Sequence, residues 1–495
     1  MGGEMLREFF ACTLAIGGIG QLVGSANADS NVEKAAAYAT DQMHVSGVPG
    51  FSIAIVQGER VLYVAGSGVA NADLAQVTGD TGFIIGSTTK SFTALCVMQL
   101  VEAGAISLDA PVALYLPKFM NGSVAARRMT VRMLLNHTSG ISHSAGDQPI
   151  LDGGERGSDA IRHWEARLSV NALDRPVGHS YEYSNANYIV LGALIETVSG
   201  ETYASYLQKH VLVPLGMSET FTSLDDGRLH GMASGHRQWF GQFQPSEVPY
   251  PAAFVPVGFL ITTANDMSKY LAVVAGRGQL HGTRILTEAS LAEMHRGTAN
   301  FDETGKTAYA MGWVADTFNG VPVVYHDGDT GRFTSVMAIS RGNRYGVAVL
   351  ANGSGWLHGT HMIDAANGAI NLLEGKTPKS YAMPYMLTTT MLAVLTGVPM
   401  LQFAFLIWSF FAGSGAEHRS LGLGLLLPAV FNIALAGVFV IGIPQFFLGI
   451  PLVEHVYSVP DMGSAALLSA AVAVVWVASL LGRLFSQGLV SERLG

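Results

Sequence analysis

Three stretches without a single charged residue, Tyr385–Phe411, Ser420–Val453 and Ser464–Gly482, constrain this chain more than any other feature. A helix of about 20 apolar residues crosses the hydrocarbon core of a bilayer, and each stretch is long enough for one. The second is too short for a hairpin of two spans, and its end, PQFFLGIPLV, suits the interface. Spans are therefore expected at about 385–411, 421–443 and 464–482, within an anchor of residues 379–495. The loop GSGAEHRS and the tail beyond Gly482 carry Arg419, Arg483 and Arg493, while the intervening loop EHVYSVPDMG carries no Lys or Arg. Positive charge marks the cytoplasmic side, so the preceding domain is expected outside. The spans contain no ionisable residue, which a transporter or proton path requires. The tail thus reads as an anchor whose partner is the lipid bilayer, with binding of a membrane partner as the lesser alternative.

The N-terminus agrees with this orientation. MLREFFACTLAIGGIGQLVGSANA places Arg7 before an apolar run and ends on Ala26-Asn27-Ala28, the form of a signal peptide over residues 1–28. An uncleaved anchor helix is the alternative, and either leads the following residues out of the cytoplasm. The 495 residues suit two or three units. Only 13% are charged, the formal net charge is -9 and no basic block is present, so nucleic acid is not an expected partner. Of the two cysteines, Cys12 lies in the leader, and Cys96 alone can form no internal disulfide.

Residues 29–378 read as a globular domain. Asn31–His44 has helical spacing. FSIAIV and RVLYVAG flank the turn Gln57-Gly58-Glu59 and read as strands. VPVVYH, FTSVMAIS and YGVAVLA, from Val321, Phe333 and Tyr345, read as three more, followed by a helix from about His358 to Glu374. The middle, about Ser91 to Ala275, reads as helical segments and long loops. Strands at both ends with helices between predict one sheet built from both termini.

Within this domain, GSTTKSFTA places Lys90 three residues after Ser87 at the start of a helical apolar stripe, so the two share a face. A serine hydroxyl is a poor nucleophile until a base takes its proton. Lysine can be that base when burial and the positive helix end lower its pKa. The same spacing also arises by chance, and Ser87 could be a helix cap. YEYSNANY holds Tyr183 and Asn185. A tyrosine beside a lysine cation can serve as general base, and Asn185 can bond both the lysine and a substrate carbonyl; a loop of turn formers with a packed tyrosine is the alternative. YHDGDTGRF holds His326, Gly328 and Asp329 at a strand end. Gly328 lets a substrate approach, the Asp329 N–H can donate to an oxyanion, and His326 can orient the tyrosine or the substrate. A plain hairpin turn also fits.

Ser-x-x-Lys, Tyr-x-Asn and His-x-Gly in that order resemble the serine β-lactamase/penicillin-binding-protein superfamily, and most of all its class C β-lactamase-like branch, which also holds esterases and D-amino-acid peptidases. GVPGFSIAIV, ISLDAPVALYLP, TVRMLLNHTSGI, YSNANYIVLGALIE and FLITTANDMSKYL extend the resemblance over about residues 30 to 375. It implies an α/β (α+β) fold, an antiparallel sheet flanked by helices beside a mostly helical lobe, with the site between them. It implies Ser87 as nucleophile, Lys90 and Tyr183 sharing general-base and general-acid work, and Asn185 positioning lysine and substrate. The N–H groups of Ser87 and Asp329 would form the oxyanion hole. No cofactor and no metal are implied.

The third motif departs from the family's usual Lys-Thr-Gly: His326 stands for the lysine and Asp327 for the threonine. A neutral imidazole binds a β-lactam carboxylate less well than an ammonium. The expected activity is therefore acyl-enzyme hydrolysis of β-lactam, D-amino-acid peptide or ester substrates, with β-lactams placed in doubt. A penicillin-binding sensor that acylates without turnover and an idle membrane scaffold are the alternatives. No Gly-x-Ser-x-Gly elbow and no His-Glu-x-x-His is present, and His137 in LLNHTSG is expected to be structural.

Overall fold

The computed structural model describes residues 26–151, 154–301, 305–380, 382, 385–412, 423–442 and 460–491. The expected leader falls almost wholly outside these residues. A first helix, α1, runs Ala26–Ser46. The hairpin β1 (Gly50–Gln57) and β2 (Arg60–Gly68) follows, turning at Gly58 with φ +54. The helical lobe contributes α2 (Thr89–Glu102), α3 (His143–Leu151), α4 (Asn185–Ser199) and α5 (Ala264–Ala275). Within it lies a hairpin, β3 (His236–Trp239) and β4 (Gln242–Pro245), that the pattern of the sequence did not signal.

Strands return with β5 (Ala299–Asn300), β6 (Ala308–Tyr309), β7 (Val314–Phe318), β8 (Val321–Asp329), β9 (Thr334–Ser340) and β10 (Tyr345–Ala351). They are followed by the short β11 (Gly353–Ser354) and by α6 (Trp356–Leu373). The large sheet has the order β2-β1-β10-β9-β8-β7-β6-β5 and is antiparallel throughout. Ile53 pairs with Val349, so the two chain ends of the domain do meet in one sheet.

Both faces of the sheet are covered. Ile53 and Ile55 pack with Ala35 and Ala39 of α1 and Ala366 and Ile370 of α6, whereas Ala54 and Val56 pack toward the helical lobe. Alternate residues of a strand point to opposite faces, and burial on both sides explains why these strands read as unbroken apolar runs. Helix α2 is buried along nearly its whole length, from Thr89 to Met98, and forms the centre of the lobe. Its N-terminal end meets the C-terminal end of β8, and that junction places the site.

Among the described residues three apolar helices follow: α7 (Tyr385–Ala412), α8 (Leu423–Gly437, continued by a π turn to Gly442) and α9 (Pro460–Ser491). Among the described residues one stretch, Thr390–Trp408, is long and apolar enough to cross a bilayer, while Val430–Gly442 and Gly463–Ser479 are shorter apolar helices. The expectation of three spans is thus supported for the first and not for the other two, whose apolar helical length falls short. Leu401, Phe403 and Trp408 are exposed, while Gln402 is buried and accepts from Ser469 Oγ at 2.7 Å, beside a small buried cluster of Leu406, Val472 and Trp476.

Candidate active site

Ser87 sits on a tight turn, Gly86–Thr88, just before α2. The Ile85 carbonyl fixes that turn by accepting from Thr88 Oγ1 at 2.7 Å and Ser335 Oγ at 2.6 Å. Gly86 has φ +53, and a Cβ there would lie 2.5 Å from Asp329 N. A Cβ on Gly328 would lie 2.9 Å from Ser87 N. Only glycines allow the turn and the strand to approach this closely. The Ser87 hydroxyl meets Lys90 Nζ and Tyr183 Oη, so it is not spent on the helix end.

Lys90 is completely buried on the same helical face, with Nζ 3.0 Å from Ser87 Oγ. Its other partners are Asn185 Oδ1 at 2.8 Å and the Val257 carbonyl at 3.0 Å. Both of these are acceptors. A neutral amine has two N–H groups and one lone pair; two acceptors take the former and leave the latter facing the serine hydroxyl. Burial brings the Lys90 pKa down to about 7, with the carboxylates of Asp147 and Asp327 pulling it the other way. The arrangement can thus hold a lysine ready to accept the serine proton.

Tyr183 closes the opposite side, donating its hydroxyl to Ser87 Oγ at 2.8 Å. Burial pushes its phenol well above the ordinary value, with the hydrogen bond to Ser87 opposing the shift. This favours the protonated phenol over the phenolate considered from the sequence, so Lys90 fits the base and Tyr183 the proton donor. The ring of Tyr183 lies 4.4 Å from that of His137. His137 is buried, and its Nδ1 accepts from Ser184 N at 3.2 Å and Asn187 Nδ2 at 2.9 Å, which fits the structural role expected of it.

Asn185 opens α4 and joins Lys90 to a residue the sequence did not single out: its Nδ2 donates to Asp147 Oδ1 at 2.6 Å. Gly146 is the fit point of this contact, since a Cβ there would lie 2.7 Å from Asn185 N.

The strand wall of the cleft is different in character. Thr330 N donates to Phe333 O at 3.0 Å, and Asp329 is the next residue back, opposite Thr334. Donors alternate along an antiparallel ladder, so the Asp329 N–H points away from β9 toward the Ser87 turn. Two N–H groups can therefore converge beside the serine. The Asp329 carboxylate accepts from Ser354 Oγ at 2.7 and 2.8 Å and from Gly331 N at 2.5 Å, which pins this turn. His326 is buried, with Nε2 2.9 Å from Tyr309 Oη and Nδ1 2.6 Å from the Asp327 carbonyl. Its hydrogen bonds reach neither Tyr183 nor Ser87. Burial holds its pKa down at about 4, so the ring is neutral where a lysine would be charged. Asp327 is exposed, and its carboxylate acts on Lys90, Tyr183 and Tyr181.

Ser87, Lys90, Tyr183 and Asn185 are thus brought into one network, with Gly328 and Asp329 beside it and His326 in the adjoining strand. Asp147 and the Val257 carbonyl are the additions. The first has no periodic signal in its segment, and the second is a backbone group that no side-chain motif reports.

Comparison with known proteins matches this architecture. Residues 35–369 fit the family described as Beta-lactamase. "Penicillin-binding protein 4" of Amycolatopsis lactamdurans is 32% identical over 317 residues, covering 62% of this chain and 81% of that protein. "Protein flp" of Staphylococcus aureus (strain MRSA252) is 26% identical over 309 residues, which span 60% of its length. The octameric penicillin-binding protein homologue from Pyrococcus abyssi superimposes with a TM-score of 0.61 at 29% identity, covering 72% of this chain and 80% of that one. D-amino acid amidase from Ochrobactrum anthropi SV3, with a TM-score of 0.58 at 23% identity, covering 70% of this chain and 99% of that one, shares the fold. With this fold and these motifs, the chain belongs to the beta-lactamase family, the serine hydrolases that include the penicillin-binding proteins.

Proposed function

We propose that this protein is a membrane-anchored, extracytoplasmic serine hydrolase of the class C β-lactamase-like branch. It works through a Ser87 acyl-enzyme and prefers D-amino-acid amides, peptides or esters with a free α-ammonium over carboxylate-bearing β-lactams. The observation that carries the substrate preference is the charge of the cleft. His326 is neutral where a cation would receive a carboxylate, and Asp327 adds a negative charge that acts on Lys90 and Tyr183. A carboxylate there meets repulsion, and an ammonium meets attraction.

The geometry supports the following chemistry. Ser87 Oγ forms a bond to the substrate carbonyl carbon as its proton passes to Lys90 Nζ, 3.0 Å away. The electron pair moved onto the carbonyl oxygen is held by the N–H groups of Ser87 and Asp329. When the carbon–nitrogen or carbon–oxygen bond breaks, the leaving group takes a proton from Tyr183, and the proton held on the Lys90 ammonium, 5.0 Å from the Tyr183 ring centroid, restores the phenol. Water then attacks the acyl ester and gives a proton to the same base. The carboxylic acid leaves and the Ser87 hydroxyl is restored.

The anchor is supported by the apolar stretch Thr390–Trp408, by the exposed apolar side chains and buried Gln402–Ser469 pair of the C-terminal helices, and by Arg419 just beyond that stretch. The substrate preference is tested on the full chain with a D-amino-acid amide, its N-acetylated form and benzylpenicillin. The free amine should give the highest kcat/KM. Equal or faster turnover of benzylpenicillin would remove the preference.

A further inference from the structure

The hydrogen bonds around Lys90 continue through Asn185 to a pair of residues at the rim of the cleft. Asp147 Oδ1 accepts from Asn185 Nδ2 at 2.6 Å, and Asp147 Oδ2 lies 3.2 Å from His143 Nε2. His143 Nδ1 lies 3.1 Å from the Tyr183 carbonyl. Both ring nitrogens of His143 thus face acceptors. With Tyr183 Oη and Lys90 Nζ both on Ser87 Oγ, the bonds form a closed circuit that joins both partners of the nucleophile through His143, Asp147 and Asn185.

The orientation of one amide decides what this circuit does. Lys90 presents its lone pair to Ser87 only while its N–H groups have acceptors elsewhere. Asn185 supplies one such acceptor when its oxygen faces the lysine. Rotated by half a turn, the amide would offer N–H groups instead, and the lysine lone pair would be drawn away from the serine. A carboxylate is an acceptor only, so it accepts the amide nitrogen and rejects the amide oxygen.

We propose that Asp147, held by His143, is a positioning residue that locks the Asn185 amide with its oxygen toward Lys90 and so keeps the lysine lone pair on Ser87. This rests on the reading of Ser87 as nucleophile and Lys90 as its base. Asp147 also acts by charge: with Asp327 it favours the lysine cation against burial, and that cation in turn disfavours charge on the nearby rings of His137 and His326. Around the pair itself, Glu182 accepts from His143 N at 3.2 Å and is tied to Arg175 at 2.6 Å.

The test is a double-mutant cycle on the full chain, reading the maximal rate at which a fluorophosphonate modifies Ser87. In that step the serine oxygen bonds phosphorus, fluoride leaves, and the serine proton goes to the base. Asp147→Ala should slow modification by about 100-fold, the cost of a misplaced catalytic group. Asn185→Ala should do the same, and the double variant should be no slower than Asn185→Ala alone. Asp147→Asn keeps the shape of the side chain and guards against a folding defect. It should move the acid limb of the pH–rate profile to lower pH by about one unit, because the lysine loses a stabilising anion. Losses that multiply in the double variant, or an unmoved limb in Asp147→Asn, would overturn the inference while leaving Ser87 as nucleophile. No modification of Ser87 in the wild type would remove the underlying reading and the inference with it.

Discussion

The two walls of the cleft handle charge in opposite ways. The helical wall buries Lys90 completely and surrounds it with neutral acceptors and the Ser87 hydroxyl. The strand wall buries a neutral His326 and leaves Asp327 exposed. Desolvation lowers the lysine pKa and prepares a base; the exposed acid leaves a field for substrate. Proton transfer and charge selection thus rest on different elements, and substitutions should separate them.

The largest effect is expected at the nucleophile. Ser87→Ala should lower kcat by about a million-fold, as loss of a serine nucleophile does in other serine hydrolases, with thermal unfolding unchanged. Wild-type turnover in that variant would remove the mechanism. Lys90→Met should lower kcat by about 100- to 10,000-fold, the usual share of a general base. It should also stabilise the fold, on the order of 2 kcal/mol, by replacing a buried amine with an apolar side chain.

The pH dependence of stability has a definite sign. Burial holds the folded-state pKa of Lys90 at about 7 against an ordinary lysine value of 10.5, so the unfolded chain binds more protons between these values. The wild type should therefore gain stability from Lys90 as pH rises from about 7 toward 10.5, and Lys90→Met should lack that gain. Melting curves of both proteins across this range check it; parallel curves would contradict a depressed lysine.

Smaller changes are expected at the strand wall. His326→Lys should raise kcat/KM for benzylpenicillin by about 10- to 100-fold, the worth of a hydrogen bond to a charged group. Asp327→Asn should cost the ammonium substrate about fivefold, as an exposed charge pair does. If either change instead altered all substrates equally, the division between the walls would not hold.

The helical wall was the more legible one. Ser87 and Lys90 are three residues apart on a helix, and their contact follows from helical geometry alone. Tyr183 and Asn185 were found through their order relative to that pair. The sheet was legible because its strands are buried on both faces and stand out as apolar runs. What was not legible depends on contacts distant in sequence. Asp147 meets Asn185 from 38 positions away, through a segment without periodicity, and Val257 contributes only a carbonyl. The neutrality of His326 follows from burial against Tyr309, which its own motif does not encode. The hairpin His236–Pro245 lacks strong alternation and is held by tertiary contacts, among them a parallel pairing of Gly353 with His236.

The most direct test of the central claim is intact-mass analysis of the full chain after reaction with a fluorophosphonate, followed by peptide mapping. One adduct per chain, on Ser87, absent in Ser87→Ala and formed far more slowly in Lys90→Met, is the predicted result. Modification at another residue, or an adduct that persists in Ser87→Ala, would contradict the assignment of Ser87 as the activated nucleophile.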